Sequence, residues 1–199
     1  MAGRAGVLAL QGAFREHVRA LAEVGLEPVE VRQLRDLEGL DGLVIPGGES
    51  TTMSKLMAAF ELEHPIRDLR AAGAPVFGTC AGMILVARHA VDATPDQRQL
   101  GLIDIDVRRN AYGRQVSSFE AELALRGDPD PLTGVFIRAP WIERAGDGVE
   151  VLAELDGHAV AAEQDGVLVT AFHPELTGDL RLHRRFAELV ARAGKAVAA

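Results

Sequence analysis

The chain has 199 residues, 48% of them hydrophobic, with 21 Lys and Arg against 29 Asp and Glu and a formal net charge of −8, which suits one domain able to bury its own core. The basic residues are scattered, so no cationic face emerges for a phosphate backbone or an anionic lipid surface, and no segment nears the ~20 apolar residues of a membrane span. The opening run GVLAL stops at Gln11 with no cleavage-site pattern, so the expected compartment is the cytoplasm.

In chain order, a strand over GVLAL leads into FREHVRALAEVG, where Phe14, Val18, Leu21 and Ala22 share one helical face. EPVEVR and GLVIP read as strands. Helices are expected at STTMSKLMAAF and HPIRDLRAAG, and the strand PVFG feeds a further helix over AGMILVARHA. Strands separated by helices predict a parallel, doubly wound sheet. From about Gly101 the pattern turns to strand-like runs with turn residues between them: GLIDIDVRRN, SSFEAELAL, GVFIRAP, VEVLAEL, HAVAAEQ and VLVTAFHPE. Antiparallel pairing is expected there. DLRLHRRFAELVARAG closes the pattern as a helix packed on the sheet through Leu180, Phe186, Leu189 and Val190.

Cys80, the one cysteine, lies in GTCAG at positions 78–82, between a strand and a helix. This is the spacing of a G-x-S-x-G nucleophile elbow with cysteine for serine. A turn that sharp brings backbone close on both sides and strains the residue at its tip, so glycine is needed two positions either side. The start of a helix favours a thiolate there. A lone thiol is more often a buried structural residue, but the elbow favours a nucleophile.

A thiolate nucleophile needs a proton donor for its leaving group. Of the six histidines, His173 stands out, because it ends VLVTAF, precedes Pro174 and lies two residues from Glu175, which could orient its ring. Carboxyl ends of strands in an open α/β sheet converge on one crevice, so Cys80 and His173 can meet although they lie 93 positions apart. His17, His89 and His183, in helical segments among charged neighbours, are expected in solvent, and no two histidines have the spacing of a metal site. In LVIPGGEST, Gly47 and Gly48 free the backbone to point an N–H inward, which with the amide of Ala81 would form an oxyanion hole. The lysine and spacing of a phosphate-binding P-loop are absent.

PGGES, GTCAG and HPE, in this order, resemble the class I, triad-type glutamine amidotransferases. LALQGAFREH, VIPGGESTTM, FGTCAGMILVA, RRNAYGRQVSSFE, GVFIRAPWI and FHPELTGD narrow the resemblance, over nearly the whole length, to the glutaminase subunits of pyridoxal 5′-phosphate synthase. The resemblance implies an α/β fold, a three-layer α/β/α sandwich around a flavodoxin-like, open, mixed but mostly parallel sheet, with residues 1–199 as a single glutaminase domain. It implies Cys80 as nucleophile, His173 as general acid and base, and Glu175 as its orienter. It further implies Gly48, Glu49, Ser50, Arg109, Ile137 and Arg138 as substrate-binding residues, Gly48 and Ala81 as the oxyanion hole, and no cofactor or metal. L-glutamine would be the substrate, and the partner a (β/α)8-barrel synthase subunit in a large hetero-oligomer. Read by residue type alone, Arg109 and Arg138 could equally be sheet-edge arginines, and Glu49 could merely begin a helix. Two rivals stand beside this reading: a glutaminase subunit serving histidine or nucleotide biosynthesis, and a redox-sensing or chaperone-like domain built around an elbow cysteine.

Overall fold

The structure, a computed structural model, describes residues 2–94, 96–112 and 118–197. Residues 113–117, the GRQVS of RRNAYGRQVSSFE, lie outside the described residues, as do positions 1, 95, 198 and 199.

The first half alternates as the sequence predicts: Arg4–Leu8 (β1), Phe14–Glu23 (α1), Glu27–Val31 (β2), Gly42–Ile45 (β3), Ser50–Ala59 (α2), Glu63–Ala71 (α3), Val76–Thr79 (β4) and Ala81–Val86 (α4). The helix predicted over AGMILVARHA ends early, however, and Ala87–Ala90 forms an edge strand, β5. Residues 81–86 are all buried, so the run is apolar on every side and its periodicity does not mark where helix gives way to strand. Ile103–Arg108 (β6), Ser118–Leu123 (β7), Leu132–Ile137 (β8), Trp141–Ala145 (β9), Glu150–Leu155 (β10), His158–Gln164 (β11) and Val167–Thr170 (β12) follow. A 3-10 turn, Pro174–Leu176, and the helix Arg181–Val197 (α5) complete the described chain.

The main sheet runs β2-β1-β3-β4-β12-β11-β9-β6-β5, with β10 paired to β11. Its first five strands are parallel to one another and follow the flavodoxin-like order. Beyond β12 the pairings with β11, β9 and β10 are antiparallel, as the turn-punctuated second half predicts, while the edge pair β5 and β6 is parallel. α1 packs against α5 and α2 against α4, the two helical layers that cover a sheet buried on both faces. β3, β4 and β12 are buried at every position.

β7 and β8 form a separate ribbon. Phe119 stacks on Phe136 with centroids 4.8 Å apart, and Phe136 packs on Phe172 at 5.5 Å. The backbone N–H of His173 donates to the carbonyl of Val135 at 2.8 Å. The ribbon is thereby fastened to the segment that follows β12, and this brings Ile137 and Arg138 over the carboxyl ends of the parallel strands.

Candidate active site

Cys80 stands between β4 and α4 with φ +48° and ψ −103°, a conformation costing on the order of 1–3 kcal/mol for a residue with a side chain. The flanking glycines have steric causes. A Cβ on Gly82 would fall 1.9 Å from the Ile45 carbonyl oxygen, and one on Gly78 would fall 2.8 Å from the Gly82 carbonyl. The Cys80 N–H donates to the Thr170 carbonyl at 2.7 Å, and Sγ lies 3.8 Å from the Ile137 carbonyl oxygen.

His173 reaches Cys80 through strand register. β12 lies beside β4 with Thr170 opposite Thr79, so the residues that continue each strand emerge together. His173 Nδ1 is 2.7 Å from Glu175 Oε1. Burial opposes a charged imidazole, but hydrogen bonding and opposite charge from the Cys80 sulfur and the Glu175 carboxylate outweigh it and raise the His173 pKa to about 10. Burial likewise opposes the Glu175 carboxylate, yet His17 and His173 hold it well below the usual carboxylate range.

Cys80 and His173 close one end of a cavity of about 230 Å³ whose lining includes Gly48, Glu49, Ser50, Arg109, Ile137 and Arg138, with Ala81 beside Cys80. Ligand pockets generally span about 300–1,000 Å³, so this one suits a single amino acid better than a nucleotide. Glu49 caps α2, accepting from the N–H groups of Thr51 at 3.1 Å and Thr52 at 2.7 Å. Despite partial burial, those bonds and the Thr52 hydroxyl lower its pKa to about 2. Glu49 therefore begins the helix as its cap and also lines the cavity. Arg109 donates from Nη1 to Gln97 Oε1 at 2.7 Å and lies 3.9 Å from Glu49 Oε1. Arg138 takes φ +44° just after β8.

Sequence reasoning missed Gln11, Asn110 and Gln97. Gln11 lines the cavity and its Oε1 accepts from the Glu49 N–H at 2.7 Å. Its signal was a polar residue ending an apolar strand run, the cue that singled out His173. Gln97, 5% exposed, anchors Arg109 from a loop with no periodic signal.

The expectation of solvated His17 and His183 is overturned, since both are fully buried. Their Nδ1 and Nε2 atoms, respectively, are 3.0 Å apart. Position 17 belongs to the apolar stripe of Phe14, Val18 and Leu21, and position 183 lies on the buried side of α5 with Phe186 and Val190. Their helical phase outweighs their polarity. His89 is exposed, on β5 rather than on a helix.

The family model of the SNO glutamine amidotransferases matches residues 7–192. The chain belongs to the SNO glutamine amidotransferase family. Within that family it is 57% identical over 192 residues to the pyridoxal 5′-phosphate synthase subunit PdxT of Frankia alni, covering 96% of each chain. It is 58% identical over 192 residues to the same-named subunit of Mycobacterium avium, covering 95% of this chain and 97% of that one. A crystal structure described as a glutamine amidotransferase matches with a TM-score of 0.88 at 50% identity, covering 94% of this chain and 98% of that one. The structure of PurLQS from Thermotoga maritima, 16% identical with a TM-score of 0.68 over both whole chains, shares the fold.

Proposed function

We propose that this chain hydrolyses L-glutamine to L-glutamate and ammonia and hands the ammonia to a separate subunit that makes pyridoxal 5′-phosphate. The observation that carries the reading is the convergence of Cys80 and His173 at the end of a cavity the size of an amino acid, with Glu175 bonded behind His173, in a chain of the SNO family.

Cys80 attacks the side-chain carboxamide carbon, and the N–H groups of Gly48 and Ala81 receive the developing oxyanion. The intermediate collapses as His173 protonates the departing nitrogen, which leaves as ammonia. A water that gives its proton to His173 then hydrolyses the γ-glutamyl thioester, and the returning proton regenerates the thiol pair. Glu175 holds the imidazole by its Nδ1 side throughout. Glu49 faces the substrate's ammonium, Arg109 and Arg138 its carboxylate, and Ser50 and the Ile137 backbone complete the seat.

Ammonia freed into neutral water becomes ammonium and loses its nucleophilicity, so an acceptor must take it first. We assign residues 1–199 to one glutaminase domain and, because the relatives are named as subunits of a synthase, place the acceptor site on a partner, a (β/α)8-barrel synthase subunit in a large hetero-oligomer. The Gly47 carbonyl accepts from the Ala13 N–H at 3.2 Å, and docking that turns this peptide would exchange that bond for an oxyanion donor. The test is steady-state ammonia release from glutamine as the barrel subunit is titrated in. A kcat that rises and saturates with complex formation is expected; absence of hydrolysis with and without the partner would refute the reading.

A further inference from the structure

Behind the triad lies a second set of buried polar groups, contributed by α1, α5 and the end of β4. Glu175 uses Oε1 for His173, while its Oε2, fully buried, has no aligned hydrogen bond and faces His17 Nε2 at 3.3 Å. His17 Nε2 also lies 3.1 Å from Thr79 Oγ1, and His17 Nδ1 lies 3.0 Å from His183 Nε2. His183 Nδ1 is buried with no partner among the described residues. Phe77 packs edge-on against both rings, which leaves them little freedom to turn.

The orphaned nitrogen fixes the direction of these bonds. A buried N–H without an acceptor is costly, whereas a bare ring nitrogen loses less. His183 Nδ1 is therefore the unprotonated nitrogen, and Nε2–H donates to His17 Nδ1. His17 then carries its own proton on Nε2, between Thr79 Oγ1 and Glu175 Oε2. The groups facing Glu175 are His173 from the turn after β12 and His17 from α1, with Thr79 of β4 and His183 of α5 acting through His17.

The geometry points to His17 as a positioning residue of the catalytic site: held in one tautomer by His183, it directs its Nε2–H to the inner face of Glu175 and keeps that carboxylate ionised and aimed at His173. The inference rests on the glutaminase reading above, deepening it by one layer. Without that donor, Oε2 is left uncompensated, and the carboxylate either takes a proton or turns from His173. The imidazolium that pairs with the Cys80 thiolate is then less stabilised, and the thiolate forms only at higher pH.

Two amide substitutions separate this role from simple packing. The amide nitrogen of Gln stands where His places Nε2, and that of Asn stands where His places Nδ1. His17→Gln therefore keeps the donor to Glu175, whereas His17→Asn loses it. Cys80 is the one thiol of the chain, so the rate of iodoacetamide alkylation against pH reports on it alone, independently of turnover. For His17→Asn the acid limb of that profile should move up by about one pH unit, equivalent to about tenfold, with kcat for ammonia release falling to match and KM within about twofold. His17→Gln should keep the wild-type limb. An Asn variant with the wild-type profile, or a Gln variant that behaves like Asn, overturns the inference. Absence of ammonia from the wild-type chain with its partner, beside a preserved Gln–Asn difference in alkylation, would instead sink the glutaminase reading and spare the positioning role. Imidazole nitrogen NMR on the unsubstituted protein decides the matter even if a variant misfolds: Nε2–H on both His17 and His183 is required, and Nδ1–H on His17 is fatal to the proposal.

Discussion

Gly47→Ala should disable the site while leaving the fold standing. A Cβ at position 47 would lie 2.2 Å from Cε1 of His173, 2.9 Å from Nδ1 and 3.2 Å from Nε2, where ordinary contact begins near 3.4 Å. The ring must therefore retreat by about 1.2 Å, and a displacement on the order of 1 Å at a reacting group costs about 10²-fold in rate. Its hydrogen bond to Glu175 opposes the movement, so the crowding costs about 1–3 kcal/mol of stability. The three atoms nearest the new methyl group all belong to His173 and none to Arg109 or Ser50, the proposed substrate seat, so kcat should carry the loss and KM should stay near its wild-type value. The assay is coupled ammonia detection over a range of glutamine concentrations, beside a thermal melt. Gly194→Ala is the control, since among the described residues nothing lies within 4 Å of its added methyl. In an exposed helix position it should keep full activity and gain about 0.5–1 kcal/mol of stability. A Gly47→Ala enzyme with kcat within threefold of wild type would refute the steric reasoning.

Cys80→Ala should abolish ammonia release with an unchanged circular dichroism spectrum, because alanine inherits the same strained backbone and removes one buried sulfur; turnover above background would end the nucleophile assignment. Glu175→Gln should retain more kcat than His173→Ala, since the amide oxygen can still accept from Nδ1 of His173; equal, small losses from both would return His173 to a capping role. Gln97→Leu should raise KM for glutamine several-fold by freeing Arg109, a loss of about 0.5–1.5 kcal/mol; steady-state kinetics showing a fall in kcat at constant KM would contradict this. His183 is held neutral chiefly by burial, and its pKa is lowered to about 3. Its folded value lies below the unfolded one near 6.5, so the unfolded chain binds the extra proton and stability is lost as pH falls below 6.5. Urea titrations between pH 6.5 and 4.5 should show this slope in the wild type and a flatter one in His183→Phe; parallel slopes would mean that His183 does not carry the effect.

The sequence by itself determined what short-range sterics and periodicity govern. The βα alternation of the first half follows from apolar period. GTCAG specifies an elbow because only glycine fits against the Ile45 carbonyl and against the Gly82 backbone. The proximity of His173 and Glu175 is written into two residues of separation. The early end of α4 and the strand β5 were not legible, because a run buried on all sides has no polar face to mark a change of period. The burial of His17 and His183 was legible in phase but masked by chemistry: each sits on an apolar stripe, and polarity argued the other way. Only tertiary structure decided that β12 inserts beside β4, since that register depends on burying strands far apart in the chain and on no local signal. That one pairing places His173 beside Cys80. The docking of the β7–β8 ribbon, the anchoring of Arg109 by Gln97 and the donor facing Glu175 Oε2 likewise join residues distant in sequence, through bonds that become favourable only where the fold has already removed water.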